Sequence, residues 1–199
     1  MSLLFGFVED FSVLTTRSSI FVKYIKQLFC IMAHHFRDTL VGEALVGVGA
    51  EVAHIDLVIG KKGGAVEQAF VAALASPARG HTPLLAVLAP NVPTKPSTLM
   101  VNKVTIKNAA QALLMFGPAQ AAVAKAVMDC VSEGLIPEDQ AEEIFIIVSV
   151  FIEWDAKDKT KVYDFNYQAT KFALERAITG KPTVQEVLAK KDSTKHPFA

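Results

Sequence analysis

The sequence predicts an α+β fold in which helices pack on a mixed β-sheet. Residues 51–60 alternate apolar and polar side chains with the two-residue period of a half-buried strand. Residues 144–154, which read IFIIVSVFIEW, are the most β-prone run of the chain and predict a central strand. Segments 65–76 and 163–178 instead carry apolar residues at helical spacing. The complete predicted order is β-β-α-β-β-α-α-β-α-α, which is typical of an α+β sandwich.

A hairpin is predicted at the start of this order. Residues 41–49 read as a strand that ends in a glycine turn and pairs with residues 51–60. Glu43 occupies a polar position of the first strand, either on the surface or at the rim of a pocket. On the second strand, His54 and Asp56 lie two residues apart on the polar face. The opposite, apolar face carries Ala53, Ile55, Leu57 and Ile59.

A helix and a second apolar strand follow the hairpin. Residues 65–76 predict a helix with a buried stripe, and residues 84–90 form a continuous apolar run that predicts a strand buried on both faces. His81 leads into this strand and is interpreted as a structural residue, not a catalyst. Residues 91–96 predict an extended loop stiffened by two prolines. The buried stripe of the helix is expected to contain Val66, Ala69, Phe70, Ala73 and Leu74.

Residues 99–107 predict another strand with polar groups on one face. Lys103 and Thr105 lie two residues apart on that face. If this strand belongs to the same sheet as residues 51–60, the two polar pairs line one pocket. Such a pocket holds a proton donor, an acceptor, a cation and a hydroxyl, which suits proton transfer to a polar heterocycle. The opposite face carries Met100, Val104 and Ile106.

Two helices are predicted after this strand. Asn108 is expected to cap the first, and Gly117 with Pro118 is expected to break it. Pro118 suits the first position of the second helix. Gln120 then lies in the first helical turn, beside unpaired N–H groups and the positive end of the helix dipole. Gln120 is interpreted either as a group aimed at a ligand carbonyl or as a plain solvent-facing glutamine.

The remaining elements complete the order. Residues 138–143 predict a short acidic helix or turn before the central strand. The helix at residues 163–178 should end at Gly180, and Thr183 should cap a last helix through Lys190. Buried positions predicted on the longer helix are Phe165, Ala169, Phe172, Ala173 and Ala177.

Composition narrows the function classes. The chain has 20 acidic and 20 basic residues and no basic stripe, so nucleic acid is not expected as a partner. The apolar fraction of 51% is high for a monomer and favours buried subunit interfaces. Cys30 and Cys130 form no disulfide or metal pattern, and the adjacent His34 and His35 lack further ligands. We therefore expect a reducing compartment and no metal.

Residues 1–31 differ in amino-acid composition from the rest of the chain. Charged residues interrupt their apolar runs, so stable membrane insertion is not expected, and the order of charges does not fit a secretory signal. A short amphipathic helix that touches a membrane or partner is one interpretation. We favour translation from Met32, with residues 1–31 outside the core and residues 32–199 forming a single domain.

Eight segments between about Val41 and the C-terminus resemble the formaldehyde-activating enzyme family, in order and without large gaps. The chain departs from the family pattern at Lys61-Lys62, where a Pro-Arg turn is expected, and at Glu153, where a histidine is common. The matching segments are GEALVG at 42–47, EVAHID at 51–56, LLAVLAPN at 84–91, TLMVNKVTI at 98–106, MFGPAQ at 115–120, FIEW at 151–154, YQATK at 167–171 and HPF at 196–198.

This resemblance implies a specific activity and assembly. Family members condense formaldehyde with tetrahydromethanopterin, a co-substrate, to give the methylene derivative and water in the cytoplasm. The resemblance also implies the ribosomal protein S5 domain 2-like fold with its left-handed crossover, and a ring-like homopentamer with sites between neighbours. It implies that His54 donates a proton, and that the pterin is contacted by Asp56, Leu85, Lys103, Thr105 and Gln120.

The chemistry agrees with a histidine in this role. Formaldehyde adds readily to an amine to form a carbinolamine, and expulsion of its hydroxyl as water needs an acid. Imidazolium groups ordinarily have a pKa of ~6.5, close to working pH. The alternatives are a non-catalytic homologue that binds pterin or formaldehyde, a paralogue acting on another C1 carrier, and a purely structural oligomeric domain. The intact His54 argues against the first, and the two polar pairs argue against the last.

Overall fold

The structure is a computed structural model that describes residues 39–194. Its strands are β1 (Leu40–Val46), β2 (Ala53–Lys61), β3 (Leu84–Leu85), β4 (Val87–Ala89), β5 (Val92–Pro93), β6 (Ser97–Asn102) and β7 (Ile144–Val150). Its α-helices are α1 (Ala65–Ala75), α2 (Ala109–Leu114), α3 (Gln120–Ser132), α4 (Lys159–Thr179) and α5 (Val184–Lys190). Short 3₁₀ segments cover Gly49–Glu51 and Glu138–Glu143, and a π-helical segment covers Met115–Ala119.

Five strands form one mixed sheet in the order β1-β2-β7-β6-β3. Strands β6 and β7 are parallel, and the other neighbouring strands are antiparallel. Strands β4 and β5 pair with each other in a separate hairpin. The α+β class, the β1–β2 hairpin and the central place of β7 are thereby confirmed. The ribosomal protein S5 domain 2-like fold with a left-handed crossover stays a prediction.

The core lies between one face of the sheet and helices α3 and α4. Strand β7 alternates between buried and half-buried residues, as β2 does. Full burial of one branched aliphatic side chain contributes roughly 1.5–3 kcal/mol, and a one-residue slip would expose the whole set. The register of the sheet is therefore fixed by its core face. The predicted inward residues of β2 are confirmed, each at most 2% exposed: Ala53, Ile55, Leu57 and Ile59.

The apolar run at residues 84–90 is not one buried strand, so that prediction is wrong. Strand β3 adds only two residues to the edge of β6, after which the chain leaves the sheet and forms the β4–β5 hairpin. Residues predicted to be a loop thereby supply β5. Because β3 and β4 lie at an edge, their outer sides lack a covering layer, and Leu85 and Leu88 are 37% and 47% exposed.

The predicted strand at residues 99–107 is too long. Strand β6 ends at Asn102, whose side-chain amide donates to Gly80 O at 2.7 Å and to Val104 O at 2.5 Å. These bonds hold a bend directly after the strand. Lys103 and Thr105 therefore lie beyond β6 and not on it.

The predicted helix break at Gly117-Pro118 is also wrong, because α2, the π segment and α3 form one continuous helix. Proline lacks an N–H, and its ring collides with a carbonyl in a regular α-helix. The wider π turn accommodates Pro118 inside the helix, and the Gln120 N–H donates to Met115 O. This helix is long and apolar enough to cross a membrane, but more than half of its most apolar window is buried within the described part of the chain, as in core helices.

Three predicted caps are confirmed. The Asn108 side chain accepts a hydrogen bond from the Gln111 N–H, and Gly180 ends α4 with a left-handed φ of 65°. Thr183 forms a reciprocal capping box with Glu186 at the start of α5. Hydrogen bonds from the Thr183 backbone and from Lys181 lower the pKa of Glu186 to about 2.

The predicted helix faces are only partly correct. On α1, Val66 and Phe70 are buried, whereas the remaining stripe residues are more exposed. The reason is that α1 covers only one end of the sheet, where Phe70 meets Phe145 edge to face at 5.0 Å. On α4, Phe172 is exposed, contrary to the prediction, because it faces away from the packed side of the helix. The three predicted alanines of α4 are buried: Ala169, Ala173 and Ala177.

A polar clasp joins α3 to α4. The Tyr167 hydroxyl donates to Asp129 Oδ2 at 2.7 Å, and Lys125 pairs with the same carboxylate. Hydrogen bonds from Lys125 and Tyr167 lower the pKa of Asp129, and the bond to Asp129 raises the pKa of Tyr167. Lys171 also pairs with Glu133 at 2.6 Å. The clasp ties together the two helices that cover the core face.

Replacement of Tyr167 by phenylalanine is expected to reduce the free energy of unfolding by about 1 kcal/mol at neutral pH, since one hydrogen bond to a carboxylate is lost. The pKa of Asp129 is lowered in the folded state, so this contribution is present above the ordinary aspartate pKa of ~3.9. It should fade as pH falls through the lower folded value. Urea denaturation at pH 7 and pH 3 measures both effects. Tyr163→Phe, which alters the ring stacked on Tyr167, is the control, and an unchanged midpoint for Tyr167→Phe would contradict the clasp.

Several predictions concern parts of the chain outside the described residues. They are the extension at residues 1–31, the start at Met32, the roles of Cys30, His34 and His35, and the motif at 196–198. These remain predictions.

Candidate active site

The face of the sheet opposite the core carries the candidate site. Strand pairing places Glu43, Asp56, Ser149 and Val101 in one row across β1, β2, β7 and β6. In the next row, His54 lies opposite Leu45 of β1. We refer to the surface formed by these six residues as the site face. Because side chains alternate along each strand, none of the six belongs to the buried core set.

A chain of ionic contacts crosses the site face. Lys103 Nζ lies 2.5 Å from Asp56 Oδ2, and Asp56 Oδ1 lies 3.5 Å from His54 Nε2. His54 Nε2 is also 3.2 Å from Glu43 Oε1, and Glu43 Oε2 is 3.6 Å from Arg176 Nη1. Cations and carboxylates therefore alternate on both sides of one imidazole. Three predicted site residues, His54, Asp56 and Lys103, are brought together.

Local structure explains why these side chains meet. His54 and Asp56 point the same way because two residues separate them on β2. Glu43 is directly opposite Asp56 in the hairpin, which makes it the diagonal neighbour of His54. Lys103 N donates to Val150 O at 2.9 Å, so the bend after β6 still follows β7 and carries the lysine toward β2.

Leu85 lies on the same side of the sheet as His54, but in a different row of paired residues. It pairs with Leu99, which pairs in turn with Ile147 and, across β7, with Val58 of β2. This row meets β2 four residues from His54, a separation of about 13 Å along the strand. Leu85 is partly exposed and could offer an apolar contact to a ligand that also reaches His54.

Thr105 makes none of the contacts of the ionic chain, and its place in one pocket with His54 stays a prediction. Its hydroxyl oxygen lies 2.9 Å from His81 Nε2. His81 Nδ1 also lies 3.3 Å from Asn102 Nδ2. His81 is thus a partner of a predicted site residue, where sequence reasoning gave it only a structural role.

Gln120 has a different environment from the one predicted. It lies within the continuous helix, so it has no helix N-terminus beside it. Its side chain is 7% exposed, and its amide nitrogen donates to Val87 O at 3.0 Å. The side-chain oxygen is the atom left for other contacts. Gln120 therefore connects α3 to the β4–β5 hairpin and does not contact His54, Asp56 or Lys103.

The arrangement can supply a proton from a solvent-reachable ring. The His54 side chain is 36% exposed and lies between two carboxylates that attract the charge of its protonated form. Cys130, by contrast, is buried, and burial raises the pKa of its thiol to about 12. A thiol in that state is a poor nucleophile. Within residues 39–194, no three histidine, cysteine, aspartate or glutamate side chains are grouped to hold a metal.

Sequence reasoning missed two members of the ionic chain. The sequence places Glu43 either on the surface or at a pocket rim, whereas the hairpin register and strand alternation together place it beside His54. Arg176 had no such signal. It donates from Nη1 to Glu43 O at 2.7 Å across 133 positions of the chain, a contact that depends on how α4 packs along β1.

Comparisons with known proteins match most of the chain. A family model described as formaldehyde-activating enzyme matches residues 41–199. The chain is 67% identical over 179 residues to a 5,6,7,8-tetrahydromethanopterin hydro-lyase of Methanosarcina barkeri, covering 90% of this chain and 99% of that relative. This match is longer than the stretch from Met32 to the C-terminus, so it includes residues before Met32. The similarity therefore extends past the predicted domain boundary.

Longer relatives match over part of their length. The chain is 58% identical over 158 residues to a bifunctional enzyme Fae/Hps of Methanothrix thermoacetophila, and 56% identical over 158 residues to one of Archaeoglobus fulgidus. Each match covers 79% of this chain and 40% of the relative. The chain thus corresponds to less than half of these bifunctional proteins.

Proposed function

The chain belongs to the formaldehyde-activating enzyme family, and we propose that it condenses formaldehyde with tetrahydromethanopterin to give methylene-tetrahydromethanopterin and water. The observation that carries this proposal is the placement of His54 between Glu43 and Asp56 on an open face of the sheet. A histidine held in this way can deliver a proton to a bound substrate and recover it within one turnover. The enzyme is a carbon–oxygen lyase in this proposal.

The reaction has one step that needs an acid. An amine nitrogen of the pterin adds to formaldehyde, and the product is a carbinolamine with an N–CH₂–OH group. Protonated His54 gives its proton to the hydroxyl, the C–O bond breaks, and water leaves an iminium carbon. The second amine of the pterin attacks that carbon and loses a proton, which neutral His54 accepts. One formaldehyde and two N–H groups thereby give one methylene bridge and one water.

The other predicted site residues bind the pterin in this proposal. Lys103 and Asp56 offer opposite charges beside His54, and Leu85 offers an apolar contact on the same side of the sheet. Thr105 and Gln120 offer a hydroxyl group and an amide oxygen. Since these two do not meet the ionic chain within one subunit, we infer that a neighbouring subunit supplies part of each complete site.

A homopentamer is the assembly that we propose, following the family resemblance. Apolar side chains are exposed on β1 and on the β4–β5 hairpin, and one of them, Leu45, belongs to the site face. Burial of these residues between subunits would remove apolar area from water and enclose the ligand. We place the assembly in the cytoplasm. The exposed residues are Val41, Leu45, Leu88 and Val92.

The protein is expected to accelerate formaldehyde condensation strongly with tetrahydromethanopterin and little or not at all with tetrahydrofolate. A site that hydrogen-bonds one heterocycle leaves polar groups unpaired with an imperfect analogue, which costs about 1–3 kcal/mol per group. Initial rates with each carrier, after subtraction of the uncatalysed reaction, measure the difference. Equal acceleration with both would favour a general C1-carrier enzyme. Binding of the pterin without acceleration would favour a non-catalytic homologue.

Lys103→Ala is the companion experiment for the binding residues. It should raise KM for tetrahydromethanopterin roughly 10-fold or more, because a charge-assisted contact is lost, and should change kcat less. Lys62→Ala is a matched control, since Lys62 pairs with Glu143 at 3.3 Å away from the site. An unaltered KM in Lys103→Ala would remove Lys103 from the binding site.

A further inference from the structure

Two carboxylates flank His54, and Glu43 lies closer to its ring than Asp56, the partner predicted from sequence. Glu43 Oε1 is 3.2 Å from His54 Nε2, compared with 3.5 Å for Asp56 Oδ1. Asp56 is also engaged by Lys103 at 2.5 Å through its other oxygen. That cation offsets much of the Asp56 charge, so Glu43 is the nearer and less neutralised carboxylate beside His54 Nε2.

Glu43 is itself fixed in place. Arg176 Nη1 donates to the Glu43 backbone oxygen at 2.7 Å and lies 3.6 Å from Glu43 Oε2. Helix α4, which carries Arg176, packs along β1, so the guanidinium is anchored to a rigid element. The longer distance to the carboxylate leaves Glu43 Oε1 free to accept from His54 while the arginine restrains the carboxylate from the other side.

Both carboxylates meet the same ring atom. Both ion-pair contacts are to Nε2, and within residues 39–194 the structure gives His54 Nδ1 no hydrogen-bond or ion-pair partner. In an imidazolium both nitrogens carry protons. If Nε2–H is held by carboxylates, Nδ1–H is the proton that can leave. Carboxylates that anchor one N–H of a histidine fix its tautomer and stabilise its charged form.

We propose that Glu43 is a positioning residue: it holds the Nε2–H of His54, with Arg176 restraining it, so that Nδ1–H is the proton delivered to the carbinolamine hydroxyl. This inference rests on the proposed function. In the step, the Nδ1–H bond breaks, the carbinolamine C–O bond breaks, and water leaves. The neutral ring retains its Nε2–H on the carboxylates, and Nδ1 later accepts the proton lost at ring closure.

The charged groups around the ring come from every neighbouring element. Glu43 of β1 and Asp56 of β2 contact the His54 ring directly. Lys103, in the bend after β6, pairs with Asp56, and Arg176 of α4 pairs with Glu43. Removal of the Glu43 charge leaves one carboxylate that is already paired. The ring then loses its nearer carboxylate, so proton delivery should be slower than in the wild type.

The test compares Glu43→Gln and Glu43→Asp with the wild type. Glu43→Gln should lower kcat/KM about fivefold. Glu43→Asp keeps the carboxylate and should restore most of kcat/KM. Glu142→Gln is the control, because Glu142 pairs with Lys95 at 3.2 Å on another part of the surface and should leave kcat/KM unchanged.

A second measurement does not depend on activity. Nitrogen-15 spectra of the imidazole in the assembled protein report which nitrogen of neutral His54 carries the proton. The wild type and Glu43→Asp should favour Nε2–H, and Glu43→Gln should reduce that share. A wild-type kcat/KM and a wild-type tautomer in Glu43→Gln would overturn the inference. If the wild type gives no acceleration over background, the proposed function fails, and the spectra alone then decide whether Glu43 positions the ring.

Discussion

Replacement of His54 by alanine is expected to lower the enzymatic rate increment by about 10²–10⁴-fold, the usual contribution of a well-placed general acid. The proton for the carbinolamine hydroxyl would then have to come from solvent. Initial rates of methylene-tetrahydromethanopterin formation over a range of pH measure the loss. Because formaldehyde and the pterin also react without an enzyme, each rate must be corrected for that background.

The His54 substitution should leave folding and assembly intact. Its side chain lies on the site face, away from the core set, and is partly exposed. His54→Gln, which retains a hydrogen-bonding side chain but cannot deliver a proton near neutral pH, should be as impaired as His54→Ala. Activity near that of the wild type in either variant, with an unchanged thermal midpoint, would remove His54 from the acid role.

Replacement of Gly42 by alanine is expected to cause the largest loss of stability, about 3 kcal/mol in the free energy of unfolding. A Cβ at this position would lie 2.0 Å from Ala173 O and 2.9 Å from Ala177 Cβ. The backbone oxygen cannot move without displacing α4 from β1. Glycine is required here for close packing of a helix on a strand, and no positive φ is involved.

Gly117→Ala is the matched control for this variant. A Cβ at Gly117 meets no atom within 4 Å, and its φ is also not positive. It should be neutral or stabilising by about 0.4–1 kcal/mol, because alanine is favoured over glycine within helices. Urea denaturation of both variants measures the contrast. Equal midpoints for the two would mean that α4 packs on β1 less tightly than the structure indicates. Since Arg176 lies on the same helix, Gly42→Ala should also disturb the Glu43 contact and reduce activity.

The residue pattern correctly predicts those features that depend only on residues close together in the chain. Alternation placed the four apolar residues of β2 in the core and His54 with Asp56 on the other face, because a strand has no freedom to do otherwise once one side is buried. The caps at Gly180 and Thr183 follow from backbone conformation and side-chain reach within a few residues. The central position of β7 follows from burial of alternate residues in a strongly β-prone run.

The residue pattern does not predict those features that depend on contacts with another part of the fold. Lys103 looked like a strand residue, and only the Asn102 hydrogen bonds show where β6 ends. Pro118 usually breaks a helix, but a π turn keeps this one continuous and so changes the surroundings of Gln120. The apolar run that contains Leu85 lies at a sheet edge, a position that hydropathy does not encode.

The sequence by itself determined the two faces of β2, the caps at Asn108, Gly180 and Thr183, the family and the polar groups from which a site could be made. Only the tertiary structure decided which of those groups meet. It brought Lys103 to Asp56 across the intervening β7, added Glu43 and Arg176 to His54, and directed Thr105 to His81 instead. The physical reason is that ion pairs and hydrogen bonds act over about 3 Å between residues far apart in the chain, so strand register and helix packing decide them.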